Sequence, residues 1–589
     1  MSDKERFIDF QFPDSPLKFS KPLTENQRLL LYGDTRESDP ANQWKALWDS
    51  RPDHPPYFVE YAARSMEEHD ALPPDFLKIA EAIDPDNGWY LAAAAAFEGV
   101  GSIAKGSLSR KEQDERKPVP LTIEDMAKHQ AALGLLQQAM EKPRFTSYSE
   151  ELLTERIPLF PDRTDFVSQF PAIAHVMGNL APQFQLRPLA ENIAAEAQRC
   201  GTEQDEEGYR KIRDLSHQYY VKSASDGCYL IDPLIAKATM VQGIRSLRTA
   251  AEQLGFAEES EAFQVADLTL KPPEEKRGAG ARKPDETGKL IEQRGGVLTS
   301  LTLPLVGRQI KKPIPITNAD LTPERRASHA LLGRIAAVAV WVLLGFALVA
   351  VVLYRFRHSP VLAFLSTRNR DLLKASDWAW IIGGGCLFPI LWYWTIAQLS
   401  PLAAHHWNLR MTGFIQPSGQ FTSTGWVMLT APIVITRWRL SKRAPFLGMK
   451  PRYPWLGWLA VGFSLLAVPL FGAITHVGSH GATVMYAATA ALGFAQLWWL
   501  TSALVALFGK PSSALFRQSV ARCLVPTYAT GMTLAILASP LFHRSEIHWT
   551  QQDWLMEISV GEPSAGRYEY RVTQQLKLEL QETLGKLPR

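Results

Sequence analysis

The side chains best suited to chemistry in the C-terminal half of this chain are histidines. His405, His406, His476, His480, His543 and His548 make up six of the thirteen in the sequence. His476 and His480 stand four apart, so one helical turn would aim both imidazoles the same way, a spacing that metal sites use. Gly478 and Gly481 argue instead for a loop, and no cysteine or acidic residue lies close enough in sequence to complete a ligand set. The six are metal-ligand candidates by residue type and position; the plainer reading is that histidine suits interfacial loops. No cofactor and no catalytic residue is assigned from the sequence.

Acidic residues are informative by their positions. None occurs from Trp378 to Ser545. Proton- and sodium-coupled carriers commonly place a carboxylate at mid-membrane, so this gap counts against that class. It also counts against intramembrane hydrolases that use carboxylates. The text Gly462-Phe463-Ser464-Leu465 comes nearest to the Gly-x-Ser-Gly nucleophile motif of rhomboid proteases, but it lacks the final glycine, and Ser464 reads as a packing residue. Gly383-Gly384-Gly385 with Pro389, and Pro526-Thr527 with Thr530, Gly531 and Thr533, soften two apolar segments. Such features line permeation paths in transporters and also serve close helix packing.

The elements that must position these residues are apolar runs at 335–354, 378–399, 421–436, 455–475, 482–508 and 524–542. Most reach the ~20 residues that a bilayer-spanning helix needs. The third is short and holds Pro432, so it either tilts little or is partly re-entrant. Twelve of the seventeen tryptophans fall between 331 and 541, many near run ends, as an aromatic belt would place them. The chain is therefore expected to be mainly α, with a soluble helical-hairpin domain followed by a polytopic membrane bundle of about six spans.

Charge orients the bundle. The net of +3 is an average: residues 1–330 carry 41 Lys/Arg against 51 Asp/Glu, and residues 331–545 carry 17 against 2. The basic character thus belongs to membrane-flanking loops, and no nucleic-acid partner is implied. The loops after the first, third and fifth runs carry 14 positive charges, while the opposite side carries five. The positive-inside rule places the odd loops in the cytoplasm and the large N-terminal domain and C-terminal tail outside it. In a bacterium this would be the cell inner membrane. Export of so large a domain calls for a signal, and the expectation is a signal anchor upstream of Met1.

Ahead of the membrane part, residues 1–42 read as an irregular segment and 43–270 as a helical domain. Helical text runs over Ile123–Glu141, Asp165–Leu180, Leu186–Cys200, Glu207–Val221 and Asp232–Leu254, the last closed by Gly255. Residues 271–321 read as linker, and Thr322-Pro323-Glu324 as the cap of the first membrane helix. At Asp84-Pro85-Asp86-Asn87-Gly88 a helix stop meets a new cap, and Ala80, Ile83, Pro85, Tyr90 and Ala93 keep an apolar spacing. The stretch from about 75 to 105 resembles a junction between tetratricopeptide repeats, which implies paired helices and a protein-binding groove in 43–255. In the tail, 543–589, Tyr568, Val572, Leu576, Leu580 and Leu584 form a stripe expected to dock on the N-terminal domain. Cys200 and Cys228 could pair only in an oxidising compartment.

These features lead to the expectation of a non-enzymatic, membrane-anchored scaffold or accessory subunit. Its partners would be the lipid bilayer and a protein bound by the helical domain. The alternative is a transporter or channel component without an intramembrane carboxylate.

Overall fold

The computed structural model describes residues 23–169, 172–173, 175, 185–271, 286–356, 359–400, 402, 414–445, 454–474, 480–508 and 514–588. Among these the chain is mainly helical, with one antiparallel ribbon of β1 (Ile103–Lys105) and β2 (Leu121–Ile123). The ribbon and the Asp125 cap shorten the expected helix at 123–141, which begins only at Met126.

Local chemistry explains most helix ends in the N-terminal body. Helix α1 (Trp89–Glu98) starts where Asn87 Oδ1 accepts the Trp89 and Thr146 N–H groups, at 3.1 and 3.0 Å. Helix α2 (Met126–Glu141) crosses α1 at Gly88, where any Cβ would stand 2.1 Å from the Ala139 carbonyl oxygen. Thus α1 packs chiefly on α2, rather than forming a repeat-like pair with Phe76–Ile83. Helices α3 (Arg187–Glu203), α4 (Glu206–Ser225) and α5 (Ile231–Leu254) fall where the sequence places helices, and Gly255 closes α5 in the left-handed conformation. Helix α6 (Ala257–Leu270) follows.

Two helices, Glu286–Arg294 and Val297–Val306, occupy part of the segment expected to be linker. The apolar stretch at 297–306 buries Leu298 and Leu303 in the core of the body, which a free linker would leave in water.

Helix α7 (Asn318–Phe356) begins ahead of Thr322, because Thr317 and Asp320 form a reciprocal cap. Helix α8 (Pro360–Asp371) follows, then α9 (Ala375–Ala397), whose turns widen to π geometry over Ala379–Leu387. Pro389 has no N–H to bond back to Gly385, which loosens this ladder. Helices α10 (Ile415–Arg443), α11 (Pro454–Ala473), α12 (Gly481–Phe508) and α13 (Ala514–Gln552) complete the apolar part. Among the described residues, four helices, α7, α9, α11 and α13, are long and apolar enough to cross a membrane. The third apolar run lies within α10, a 29-residue helix rather than a short one. The last run does not stop at Phe542 but continues as helix to Gln552.

The two longest helices pair antiparallel along their whole length. Trp554 Nε1 donates to Asp320 at 2.9 Å, and Arg326 lies 4.4 Å over the Trp549 ring. Gly333 faces Phe542, and at the far end Gln518 Nε2 donates to the Arg355 carbonyl at 3.2 Å. Each helix has 39 residues, so the pair is about 58 Å long, nearly twice the ~30 Å of a bilayer core. The polar end is built into the body: Leu321 and Ala327 share one core with Leu555 and with Tyr568, Val572, Leu576, Leu580 and Leu584 of α14 (Arg567–Leu584). The tail stripe therefore docks on the N-terminal body. A second core, around Leu344, Ile381, Met428 and Tyr528, lies within the apolar bundle.

Candidate functional site

Where α7 and α13 leave the apolar bundle, four chemically active side chains meet. Arg334 is the last residue before the apolar run of α7, and His543 and Glu546 follow the apolar run of α13. Antiparallel pairing brings these opposite span ends together. Arg334 Nη1 lies 3.2 Å from Glu546 Oε2, 2.7 Å from His543 Nδ1 and 3.7 Å from Asp165 Oδ2. A guanidinium only donates, so in the Arg334 contact His543 accepts through Nδ1.

Asp165 is held by its own turn, in which Ser168 N donates to Asp165 Oδ1 at 2.8 Å and Asp165 N donates to Ser168 Oγ at 3.0 Å. The same loop seals the end of α13. Phe166 N donates to Glu546 Oε1 at 3.1 Å, and Arg163 Nη2 donates to the carbonyls of Thr550 and Asp553 at 3.1 and 3.0 Å. A cation there also suits the negative end of the helix dipole. Asp553 is fully buried; burial and nearby Glu324 push its carboxyl up to about 7, against the pull of Arg163. On α7 the buried Glu324 accepts from Leu298 N at 3.0 Å, Thr299 Oγ1 at 3.0 Å and Ser328 Oγ at 2.9 Å.

Ligand atoms of Asp165, His543 and Glu546 lie within 4.8 Å of one another, a donor set that by type could hold a divalent ion. Arg334 already places its positive charge among all three. The arrangement works chemically as an internal ion pair that ties three chain segments. Of the three histidine candidates among the described residues, His543 alone joins such a set. His548 hydrogen-bonds Gln552 at 3.2 Å, its ring against Trp549, and His480 stands directly before α12. His405, His406 and His476 lie outside the described residues. Asp165, Arg334 and Glu546 were not singled out by sequence reasoning.

Two further polar clusters stabilise the body. His129, fully buried, faces two acceptors, Asn192 Oδ1 at 2.7 Å and Glu196 Oε2 at 3.0 Å. Burial opposes ionisation of Glu196, but hydrogen bonds from His129 and Arg199 hold it down at about 2. At the α4–α5 corner, buried Lys577 of α14 donates to the Ser225 carbonyl at 3.1 Å and to the Gly227 carbonyl. Beside it, burial and the neighbouring Asp226 push Asp232 up to about 8. Cys200 and Cys228 are both buried and unpaired.

A groove of about 630 Å³ opens between α6 and α14, lined by Glu258, Glu261, Val265, Lys311, Leu578 and Glu582 among others. Val265 and Leu578 are 56% and 60% exposed. The groove is made jointly by body and tail and lies outside residues 43–255, where the repeat-like resemblance implied one. Comparison with protein-family models, curated proteins and solved structures gave no match to this chain.

Proposed function

We propose that this chain is a multi-pass membrane scaffold that holds a helical, partner-binding domain at a fixed height above the bilayer. The observation that carries the reading is the uninterrupted α7–α13 pair, with one end in the apolar bundle and the other inside the core of the body. Each 39-residue helix exceeds a bilayer crossing by about 28 Å, a span that reaches well past the headgroups. The Arg334 cluster stands where the pair emerges and locks the body to it. With α10 and α12 counted as crossings, the bundle has six spans. An even number also agrees with the packing of tail against body. The basic loops at the far end favour a cytoplasmic far side and an extracytoplasmic body.

Packing supports a structural bundle. A Cβ on Gly385 would stand 2.9 Å from Pro432 and one on Gly419 2.4 Å from the Phe471 ring, so these glycines serve close helix contact. One observation favours the alternative, a transport component: Gln416 is fully buried with both amide atoms unpartnered, as is Ser464 Oγ. Unpartnered polar groups of this kind also line hydrated paths.

The groove gives the test. A photo-crosslinking residue at Val265 or Leu578 in the full-length protein should give one discrete protein adduct in native membranes. The same residue at Val100, 56% exposed and away from the groove, should give none. Equal labelling at all three positions, together with solute flux in proteoliposomes, would overturn the scaffold in favour of transport.

A further inference from the structure

The two helices of the long pair carry charged groups in two planes. On α7, Arg334 and Arg355 bracket the apolar run; on α13, Arg522 and His543 do the same. Each interval is 21 residues, about 31 Å of helix, which matches a hydrocarbon core. One plane is the ion-pair cluster already described. The other has a different composition, because its cations outnumber its acids.

At that far end α8 docks on α13. Arg522 Nε donates to Ser366 Oγ at 2.6 Å, and Asn369 Nδ2 donates to Ser519 Oγ at 3.1 Å. Gln518, one turn before Arg522, holds the Arg355 carbonyl at 3.2 Å. These bonds set Arg355, Arg370 and Arg522 around one joint, where Arg355 and Arg370 both lie within electrostatic range of Arg522. Among the described residues at this end, at 355–377, 437–443 and 514–522, there are ten Lys/Arg and two Asp. Asp371 offsets part of the charge of Arg370, at 3.3 Å on the exposed side, and buried Asp377 pairs with Arg443 at 2.8 Å and Arg439 at 3.5 Å; neither acid is paired with Arg355 or Arg522.

The other face of α8 is apolar and bare. Val361, Phe364 and Leu365 are 66%, 60% and 42% exposed, and Phe356, just ahead, is 75% exposed. Their i, i+3, i+4 spacing puts them on one stripe, opposite the Ser366 and Asn369 contacts. A short helix with one bare apolar stripe, one docked polar face and arginines at its rim has the build of an interfacial helix.

We propose that Arg355, Arg370 and Arg522 form a binding site for the phosphate of an anionic lipid in the leaflet facing away from the N-terminal body, with the apolar stripe of α8 seated among the acyl chains. The inference rests on the membrane reading above. It is independent of whether the groove binds a protein. Guanidinium suits this ligand because its donors fork onto phosphate oxygens, and a bilayer surface supplies that phosphate at the height of Arg355.

The test uses the full-length protein in nanodiscs of phosphatidylcholine alone or mixed with phosphatidylglycerol, read by native mass spectrometry of retained lipid and by thermal unfolding. Wild type should retain phosphatidylglycerol preferentially and melt higher in its presence. Arg355→Gln with Arg370→Gln leaves the Arg522–Ser366 joint intact and should cut that preference about tenfold or more. Lys374→Gln with Lys442→Gln makes the same change of charge elsewhere at this end and should leave the preference in place. No preference in wild type, an unaffected arginine variant, or an equal loss in the lysine variant would each overturn the site. Inorganic phosphate reproducing the whole thermal effect in pure phosphatidylcholine would overturn its assignment to lipid.

Discussion

Replacing Arg334 by Met should loosen the body from the membrane helices more than any surface change. Glu546 is fully buried, and its Oε2 faces Arg334 Nη1 at 3.2 Å while Oε1 accepts only Phe166 N. At that distance an effective dielectric of 20 gives roughly 5 kcal/mol of attraction, much of it offset by the cost of desolvating both groups. Breaking a buried pair on one side costs about 3–5 kcal/mol, because the remaining charge is stranded. Arg334 is 24% exposed, so water partly compensates and the lower end, about 3 kcal/mol, applies. At about 2.1 cal/mol/K of unfolding entropy per residue, a chain of this length falls by about 2–5 °C in Tm. Arg334→Met with Glu546→Leu removes both charges and should recover to within about 1 kcal/mol of wild type, a coupling of at least ~2 kcal/mol. All four cysteines are buried, two in the body and two in the bundle, so a thiol-reactive dye reports unfolding in detergent, and Cys→Ser backgrounds assign it to either part. A Tm for Arg334→Met within about 1 °C of wild type, or a double variant no more stable than the single one, would refute the tie.

The buried carboxyls predict an unusual response to alkali. Asp232 and Asp553 hold their protons up to about 8 and about 7, far above the ordinary value of 3.8. The folded state therefore binds more protons than the unfolded one, and stability falls as pH rises from about 4, with the full penalty present above about 8. Thermal unfolding from pH 6 to 9 should show this decline, of order a few kcal/mol, and Asp232→Asn should flatten it; a wild-type Tm that climbs over that range would contradict the assignment. Lys577→Met should strand the Ser225 and Gly227 carbonyls and remove the cation beside Asp226 and Asp232, costing about 2–3 kcal/mol. Trypsin should then release α14 first, and unchanged protection of the tail would show that Lys577 does not hold it.

Features set by neighbours in sequence were legible. The Gly255 stop, the Asn87 cap and the five-residue stripe of α14 all emerge as read, because the first two depend on contacts within a turn of helix and the third on the 3.6-residue period of one helix. Features set by remote packing were not. Residues 297–306 read as linker because their neighbours at 271–296 are polar and glycine-rich, yet Leu298 and Leu303 find a core assembled from α7 and the tail. Thr322-Pro323 reads as a cap by composition, but Thr317 and Asp320 form one first, and Pro323 is carried inside the helix at the loss of one backbone bond. Polar residues such as Gln416 and Gln420 shorten the third apolar run as text; both are fully buried in α10, so the helix extends across positions where hydropathy alone predicts an end.

The site follows the same division. Histidines at 405, 406, 476, 480, 543 and 548 attract attention as a group because they share a residue type and an expected side, but residue type does not say which will meet. In α7 and α13 the meeting is decided by direction. Antiparallel helices place the start of one apolar run beside the end of the other, so Arg334, one residue before the first run, faces His543 and Glu546, just after the last. A cation at one span boundary and an acid at the opposite boundary of another span therefore constitute a pairing signal, provided the two helices are neighbours. The far ends obey the same geometry with a different outcome: there Arg355 and Arg522 come within electrostatic range as like charges. Asp165 carries no such signal, since it reaches the cluster through a turn that is closed by Ser168 and seated on α13 by Arg163. Only the fold brings it within 3.7 Å of Arg334.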